Sequence, residues 1–440
     1  MKLVAWIADR RVGVLAFETA AGLFSFQYDP AWLASPQAYP LSPALLFKLF
    51  EESAEQHSAR VRRFFENLLP EGKALDDAAS TNGLSRANLF GLMMALGRES
   101  AGAIALLPEH ESPGSMPTSQ RHIPLSELSE RIRERRDVPF SVWDKKVRLS
   151  IAGLQDKLAV FQGQDGAFAL AEGALASTHI LKPESLSDRL PHQVANEHYC
   201  LALANALGVT AASADIVRVP EAVLVVRRFD RELSGKRVLR RHIVDACQAL
   251  DLPVASKYER NCGNSRDVQH VRDGVSFAKL FGLSAQTTGE ASTRLALLRW
   301  AIFQFLIGNS DAHGKNISFF MGPGGLQIAP AYDLVAVCIY PHLDQHLAMA
   351  IGDEFILDDI GAMSWAVFAS QCGLERRLVA RQMALLAQGA LKFAPLLPVR
   401  TDYSDGEKDF LNGLESRIRG QATKLMRDAK LLPAISLDDI

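Results

Sequence analysis

None of the five cysteines (Cys200, Cys247, Cys262, Cys338, Cys372) stands at C-x-x-C spacing from another. That odd, scattered set argues against a disulfide framework and a structural zinc site, and it fits a reducing cytoplasm. An excess of either charge is missing as well: 48 Lys and Arg face 50 Asp and Glu for a net charge of −2, so no global attraction to nucleic acid or to an acidic membrane is expected. Long hydrophobic runs are missing. The longest, Trp300 to Gly308, is interrupted by Gln304 and is far too short to span a bilayer. The opening Met1-Lys2-Leu3-Val4-Ala5-Trp6 meets Asp9-Arg10-Arg11 too soon for a secretion signal. There is no internal repeat. What remains, 48% apolar and 22% charged residues, is the balance of an ordinary globular protein long enough for two or three domains.

Against that plain background one constellation stands out. Asp311-Ala312-His313-Gly314-Lys315-Asn316 is followed by Asp333 at the end of what reads as a β-hairpin, Ile317 to Met321 and Leu326 to Ala329 around Gly322-Pro323-Gly324-Gly325. Catalytic loops that transfer phosphoryl groups set an Asp and an Asn five positions apart, then a metal-binding Asp after a hairpin. In that division of labour Asp311 accepts the proton of the attacking hydroxyl. Asn316 and Asp333 hold Mg²⁺, which takes hard oxygen ligands. A polar turn with two solvated acids is the competing reading, and the hairpin with its second Asp weighs against it.

The texture along the chain predicts an α+β, two-lobed, protein-kinase-like fold, with a small N-terminal β-rich subdomain and a mostly helical C-terminal lobe. Strands are expected at Leu3 to Ile7, Val12 to Phe17 and Leu23 to Tyr28, then helices around Phe47 to Phe50 and Val61 to Leu69. The divisions fall at 1–110 (N-terminal subdomain), 111–145 (linker and a polar helix over Leu125 to Arg136), 146–255 (nucleotide-binding lobe) and 256–440 (helical catalytic lobe). In the nucleotide-binding lobe, strands are predicted at Val147 to Ile151, Lys157 to Phe161, His179 to Lys182 (cut by Pro183) and Ala222 to Phe229. A helix from Glu197 to Leu207 ends at Gly208. Thr287-Thr288-Gly289-Glu290 has capping-box spacing and opens a helix whose Leu295, Leu298, Ile302, Phe305 and Leu306 face a core and deliver Asp311. Further helices are expected beyond Asp358, with Met383, Leu385, Leu386, Leu391, Leu411, Leu414, Ile418 and Leu425 at helical intervals.

Other residues gain meaning only in company. Ser150-Ile151-Ala152-Gly153-Leu154-Gln155-Asp156-Lys157 can offer backbone amides to phosphates, or be an ordinary hairpin turn. Lys182 ends an apolar strand where kinases place the lysine that contacts the α/β-phosphates. Glu197 suits its ion-pair partner, or a first-turn acid favoured by the helix dipole. His313 and Lys315 either neutralise the transferring group or hydrogen-bond the loop. Phe229 borders an adenine or fills a core.

Taken in order, Glu66-Asn67-Leu68-Leu69-Pro70-Glu71, Gly97 to Ala103, Ser150 to Lys157, His179 to Lys182, Asn196-Glu197, Arg228-Phe229-Asp230-Arg231, Lys257-Tyr258-Glu259, the Asp311 to Asn316 loop and Tyr332-Asp333-Leu334 form a series. Through it the chain resembles the HipA family, the serine/threonine kinase toxins of bacterial toxin–antitoxin pairs, over essentially its full length. The resemblance implies Asp311 as catalytic base and Asn316 with Asp333 as Mg²⁺ ligands. Ala152, Gly153, Leu154, Gln155, Asp156, Lys157, Lys182, Arg227, Arg228, Phe229, His313, Lys315 and Tyr332 would line the ATP site. Ser150 would be an autophosphorylation serine, whose phosphate beside Gly153 repels those of ATP. A helix-turn-helix antitoxin of the HipB type would bind the chain and link it to DNA, and an aminoacyl-tRNA synthetase (glutamyl-tRNA synthetase first) would be the substrate. Arg227 departs from the family's acid in Val-Glu-Arg-Phe-Asp-Arg. Asp353-Glu354 and Asp358-Asp359 argue against DNA phosphate contacts there, leaving Arg376, Arg377 and Arg381 as a basic candidate or a solvated helix face. The rival to a kinase is a catalytically weak antitoxin-binding co-repressor subunit. A third possibility keeps the kinase but gives it a small-molecule acceptor.

Overall fold

A computed structural model describes residues 1–47, 52–115, 117–148, 155–235 and 237–436. Ser150, Ala152, Gly153 and Leu154, most of the expected helix at Phe47 to Phe50, and the expected strand beyond Arg148 lie outside the described residues. The chain forms two compact units of mixed helix and sheet. One comprises Met1–Pro183, Val217–Val254 and Phe319–Ala329; the other comprises Glu184–Ile216, Ala255–Ser318 and Pro330–Ile440. Among the described residues no helix is long and apolar enough to cross a membrane.

In the first unit, Lys2–Ile7 pairs antiparallel with both Arg10–Glu18 and Ile104–Pro108, and Leu23–Tyr28 extends the sheet. Strict alternation puts Phe24, Phe26 and Tyr28 inward and leaves Ser25 and Gln27 exposed. Against this sheet lies the helix Ala54–Glu66, started by reciprocal Ser53–Gln56 capping bonds. A second, six-stranded sheet carries Ala214–Arg218, Ala222–Arg227, His179–Pro183, Leu158–Gln162, Phe168–Glu172 and Ser119–Ile123 in that order. Leu128 and Ile132 of helix Leu125–Glu134 pack with Leu158, Val160, Leu181 and Val223 in its core. Pro183 does not cut its strand; it pairs with Val223 as the last residue, where a missing N–H costs least. The strand predicted to reach Phe229 stops at Arg227, because Arg228 turns into a buried charge cluster described below. Lys146–Val147 makes only a two-residue pairing with Val142–Trp143. The hairpin after Asn316 forms as expected, as Ser318–Gly322 and Gly325–Ile328, and it joins Ile243–Asp245.

The second unit is mainly helical: Gln193–Ala206, Glu290–Ile307, Ala362–Gln371, Arg376–Phe393 and Asp405–Leu431, with a hairpin His346–Ile351/Glu354–Ile356 that periodicity did not reveal. The apolar run at Trp300 to Gly308 is the buried end of helix Glu290–Ile307. Its Phe305 meets Trp365 edge-on, and Trp365 meets Phe368 in turn, so interlocked rings fix the helix that leads to Asp311. Two expectations for this helix fail. Gly289 is its N-cap and no side chain caps it; Leu295 is 37% exposed, since the apolar stripe is set by the C-terminal half. Leu385 and Leu391 are likewise exposed, whereas Met383, Leu386, Leu411, Leu414, Ile418 and Leu425 are buried.

Candidate active site

The second unit builds the Asp311 turn from the helix end outward. Gly308 takes the left-handed conformation (φ 63°) that closes helix Glu290–Ile307, with its amide bonded to Phe305 O and that of Asn309 to Gln304 O. A Cβ at Gly308 would sit 2.4 Å from Cys338 Sγ, so the close approach as well as the φ calls for glycine. Asn309 then accepts the Asp311 amide at 3.1 Å. The carbonyl of Asp311 accepts from the His313 amide at 2.9 Å and from Asn316 Nδ2 at 3.0 Å. The five-residue spacing therefore has a local cause: Asn316 reaches back to the peptide of Asp311. With its NH₂ so engaged, its carboxamide oxygen is the atom left for a cation. Gly314 lets the turn pass Val275, whose Cγ2 would lie 2.5 Å from a Cβ there, and its amide bonds Lys257 O. Tyr332 Oη donates to Lys315 O at 2.5 Å and bonds the Ser318 hydroxyl at 2.7 Å, tying both ends of the hairpin connection to the loop. Asp333 follows at φ 56°, a left-handed geometry that Asp tolerates better than most side chains and that recurs at functional sites.

A residue to which sequence reasoning gave no role completes the turn. Tyr258 Oη donates to Asp311 Oδ1 at 2.6 Å. The neighbouring Glu259 is buried and accepts from the Ala350 amide at 2.8 Å and from Arg272 Nε at 2.7 Å, while Arg272 also reaches Asp353 at 2.7 Å. Burial raises the Glu259 carboxyl above its ordinary range, against the pull of those donors. Tyr258 is thus carried on a segment anchored to strand His346–Ile351, and it orients the Asp311 carboxylate. It sits in a polar loop without periodicity, far from Asp311 in sequence, and only the Lys257-Tyr258-Glu259 string marks it. Tyr258→Phe is expected to lower kcat for phosphoryl transfer about tenfold, the worth of one hydrogen bond to a charged group, with KM for ATP nearly unchanged. Steady-state kinetics check this, and an unaltered kcat would remove Tyr258 from the site.

His313 is buried, its ring edge-on to Tyr258 with centroids 5.1 Å apart. Burial pushes its imidazole down to about 3, and nearby Lys257 and Lys315 add repulsion that Asp333 only partly offsets. A neutral His313 cannot supply positive charge to a phosphoryl group at neutral pH. Of the two roles left open by the sequence, this one falls away. Lys257 and Lys315, both buried, are the cations of this turn.

The other expected residues lie in the first unit, apart from Glu197, which is buried in helix Gln193–Ala206 of the second. Lys182 is buried in its strand, opposite Leu224, and Lys157 is buried at the start of Leu158–Gln162. Asp156 lies 3.7 Å from Arg135, yet burial raises its carboxyl overall. Gln155 is half-buried, and Arg227 is exposed at the end of its strand. Phe229 meets Phe320 edge-on, and Arg241 stacks on Phe320 at 3.6 Å. Arg228 points elsewhere: its guanidinium holds Asp230 at 3.0 and 2.8 Å and the Ser177 hydroxyl at 2.9 Å.

Models of the HipA-like C-terminal domain and the HipA N-terminal domain match residues 149–392 and 3–107. The chain belongs to the HipA family. The serine/threonine-protein kinase toxin HipA of Shewanella oneidensis is 42% identical to this HipA-family chain over 387 residues, which is 87% of this chain and 86% of that one. A putative kinase of Sinorhizobium fredii, Y4mE, is 34% identical over 440 residues, 97% and 98% of the two chains. The solved complex of Shewanella oneidensis HipA, HipB and operator DNA matches with a TM-score of 0.88 and 37% identity, over 99% of this chain and 100% of that chain. Membership makes the chain a HipA-like serine/threonine kinase.

Proposed function

We propose that this chain is the ATP- and Mg²⁺-dependent serine/threonine kinase toxin of a type II toxin–antitoxin module, with Asp311 as its catalytic base. The observation that carries this reading is the Asp311 carboxylate held at 2.6 Å by Tyr258, with Asn316 locked to the Asp311 peptide at 3.0 Å. Asp311 takes the proton as the acceptor hydroxyl attacks the γ-phosphorus; the bond to ADP breaks and phosphate passes to the serine or threonine oxygen. The Asn316 carboxamide oxygen and the Asp333 carboxylate are hard donors that fit Mg²⁺, which would neutralise charge on the ATP phosphates when bound. Gln155, Asp156, Lys157, Lys182, Arg227, Phe229, Lys315 and Tyr332 are assigned to ATP, with Ala152 to Leu154 supplying backbone amides. Glu197 takes the role of ion-pair partner to Lys182.

The solved relative assembled with HipB and DNA supports a helix-turn-helix antitoxin as partner, with DNA reached mainly through it. Free cysteines at all five positions agree with a cytoplasmic setting. An aminoacyl-tRNA synthetase as substrate, glutamyl-tRNA synthetase first, and self-inactivation at Ser150 rest on family likeness and complete the proposal.

Nucleotide binding separates this reading from a catalytically weak co-repressor. A ligand that binds only the folded state raises its melting temperature. Millimolar Mg·ATP is expected to raise Tm by several degrees, ATP with EDTA by much less. A Tm unmoved by Mg·ATP would favour the co-repressor.

A further inference from the structure

Away from Asp333, the second unit carries a half-open cavity of about 490 Å³. One wall is the end of helix Glu290–Ile307 and the turn after it, through Leu306, Ile307, Gly308 and Ser310, the residue before Asp311. Facing it are Arg417, Gly420, Gln421 and Lys424, which share one face of helix Asp405–Leu431 by their three- and four-residue spacing. Leu347, Ile356 and Leu357 make the remainder largely apolar. The volume and the mix of apolar surface with a few polar groups are those of small-molecule sites.

Charge narrows the ligand. Two cations, Arg417 and Lys424, line the cavity against one acid, Asp358, leaving a single positive charge. Lys424 Nζ spends its hydrogen bonds on backbone, on Asp358 O at 2.7 Å and Leu357 O at 3.4 Å. Neither cation is paired with a carboxylate among the described residues. Gln421, between them, keeps a buried side-chain oxygen without a partner; as an acceptor it takes a water or hydroxyl rather than a carboxylate, so the two cations alone define the anion's place. At the apolar end Ile356 is 37% exposed. We propose that this cavity binds a small amphiphilic monocarboxylate, its carboxylate between Arg417 and Lys424 and its apolar body against Leu306, Ile307, Leu347 and Ile356. Ser310, in the same wall, is bonded through its hydroxyl to Asp344 O and through its carbonyl to the Ala348 amide. An occupant therefore touches the segment that supports Asp311.

Octanoate is the probe, octan-1-ol its uncharged counterpart, and calorimetric titration of the full chain the readout. Gly420 offers a clean variant, because nothing lies within 4 Å of a Cβ placed there; Gly420→Leu fills the cavity from a helix that gains propensity. Wild type should bind octanoate saturably and octan-1-ol at least tenfold more weakly. Gly420→Leu should lose binding, and Lys424→Met should weaken it about tenfold while keeping the native melting temperature. No saturable binding to wild type, equal binding of the alcohol, or full binding to Gly420→Leu or Lys424→Met overturns the proposal. The titration needs no ATP, so its outcome is independent of the kinase reading.

Discussion

Asp311→Asn lowers phosphoryl transfer by about 10²- to 10⁴-fold, the range for losing a positioned general base, and leaves the melting temperature unchanged. Asn keeps the shape of the side chain and an oxygen for the Tyr258 hydroxyl, which donates to Asp311 at 2.6 Å. It cannot take the proton. The carbonyl contacts that shape the turn belong to the backbone of residue 311, so they persist in the variant. Rates from γ-labelled ATP, beside a thermal melt, measure both halves. A folded variant with the native rate removes Asp311 from the chemistry.

The second large effect is on stability, at a place where the chain buries charge. Asp230 accepts from Arg228 at 3.0 and 2.8 Å, from Arg231 at 2.7 Å and from the Gly102 amide at 2.8 Å. Arg240 joins through Gly102 O and Ile104 O, and Glu99 through the Ser177 amide at 2.7 Å. These bonds fasten the Arg98 to Ile104 segment to the strands around Arg228. Burial alone would raise the Asp230 carboxyl; Arg228 and Arg231 instead hold it far below the usual carboxylate range. Asp230→Ala leaves the buried guanidiniums of Arg228, Arg231 and Arg240 with Glu99 as the acid of the cluster and should cost about 3–5 kcal/mol. In a protein of 440 residues that is a fall in Tm of about 3–5 °C. A folded-state pKa below the unfolded value of about 3.9 means that the contribution is complete above that pH and is lost as pH falls below it. The gap in stability between wild type and Asp230→Asn should thus be flat from pH 7 to about 5 and shrink in stronger acid. Calorimetric melts across that range decide it, and a gap independent of pH down to 2 would mean the carboxylate charge is not what binds the cluster.

The same cluster shows where sequence reading stops. Asp311 and Asn316 were legible because their relation is local: one side chain bonding a peptide five residues back needs no tertiary knowledge. The hairpin before Asp333 was legible for the same reason, through its Gly-Pro-Gly-Gly turn. Arg228 was not. The string Arg228-Phe229-Asp230-Arg231 marks a special place, but the direction of the Arg228 side chain follows from its buried acid, and burial is a property of the fold. Tyr258 escaped similarly, since its partner is distant in sequence. The failed cap at Thr287 and the exposed Leu295 have a third cause: the aromatic packing of Phe305 with Trp365 fixes the helix and overrides a local signal at its start.

The most direct test of the account is the intact mass of wild type beside Asp311→Asn, as purified and after incubation with Mg·ATP. An active kinase that modifies itself predicts wild type heavier by one phosphate in one or both conditions, with the phosphate mapping to Ser150, and Asp311→Asn unmodified in both. Identical masses for the two proteins throughout, with no effect of Mg·ATP on either melting temperature, would contradict it.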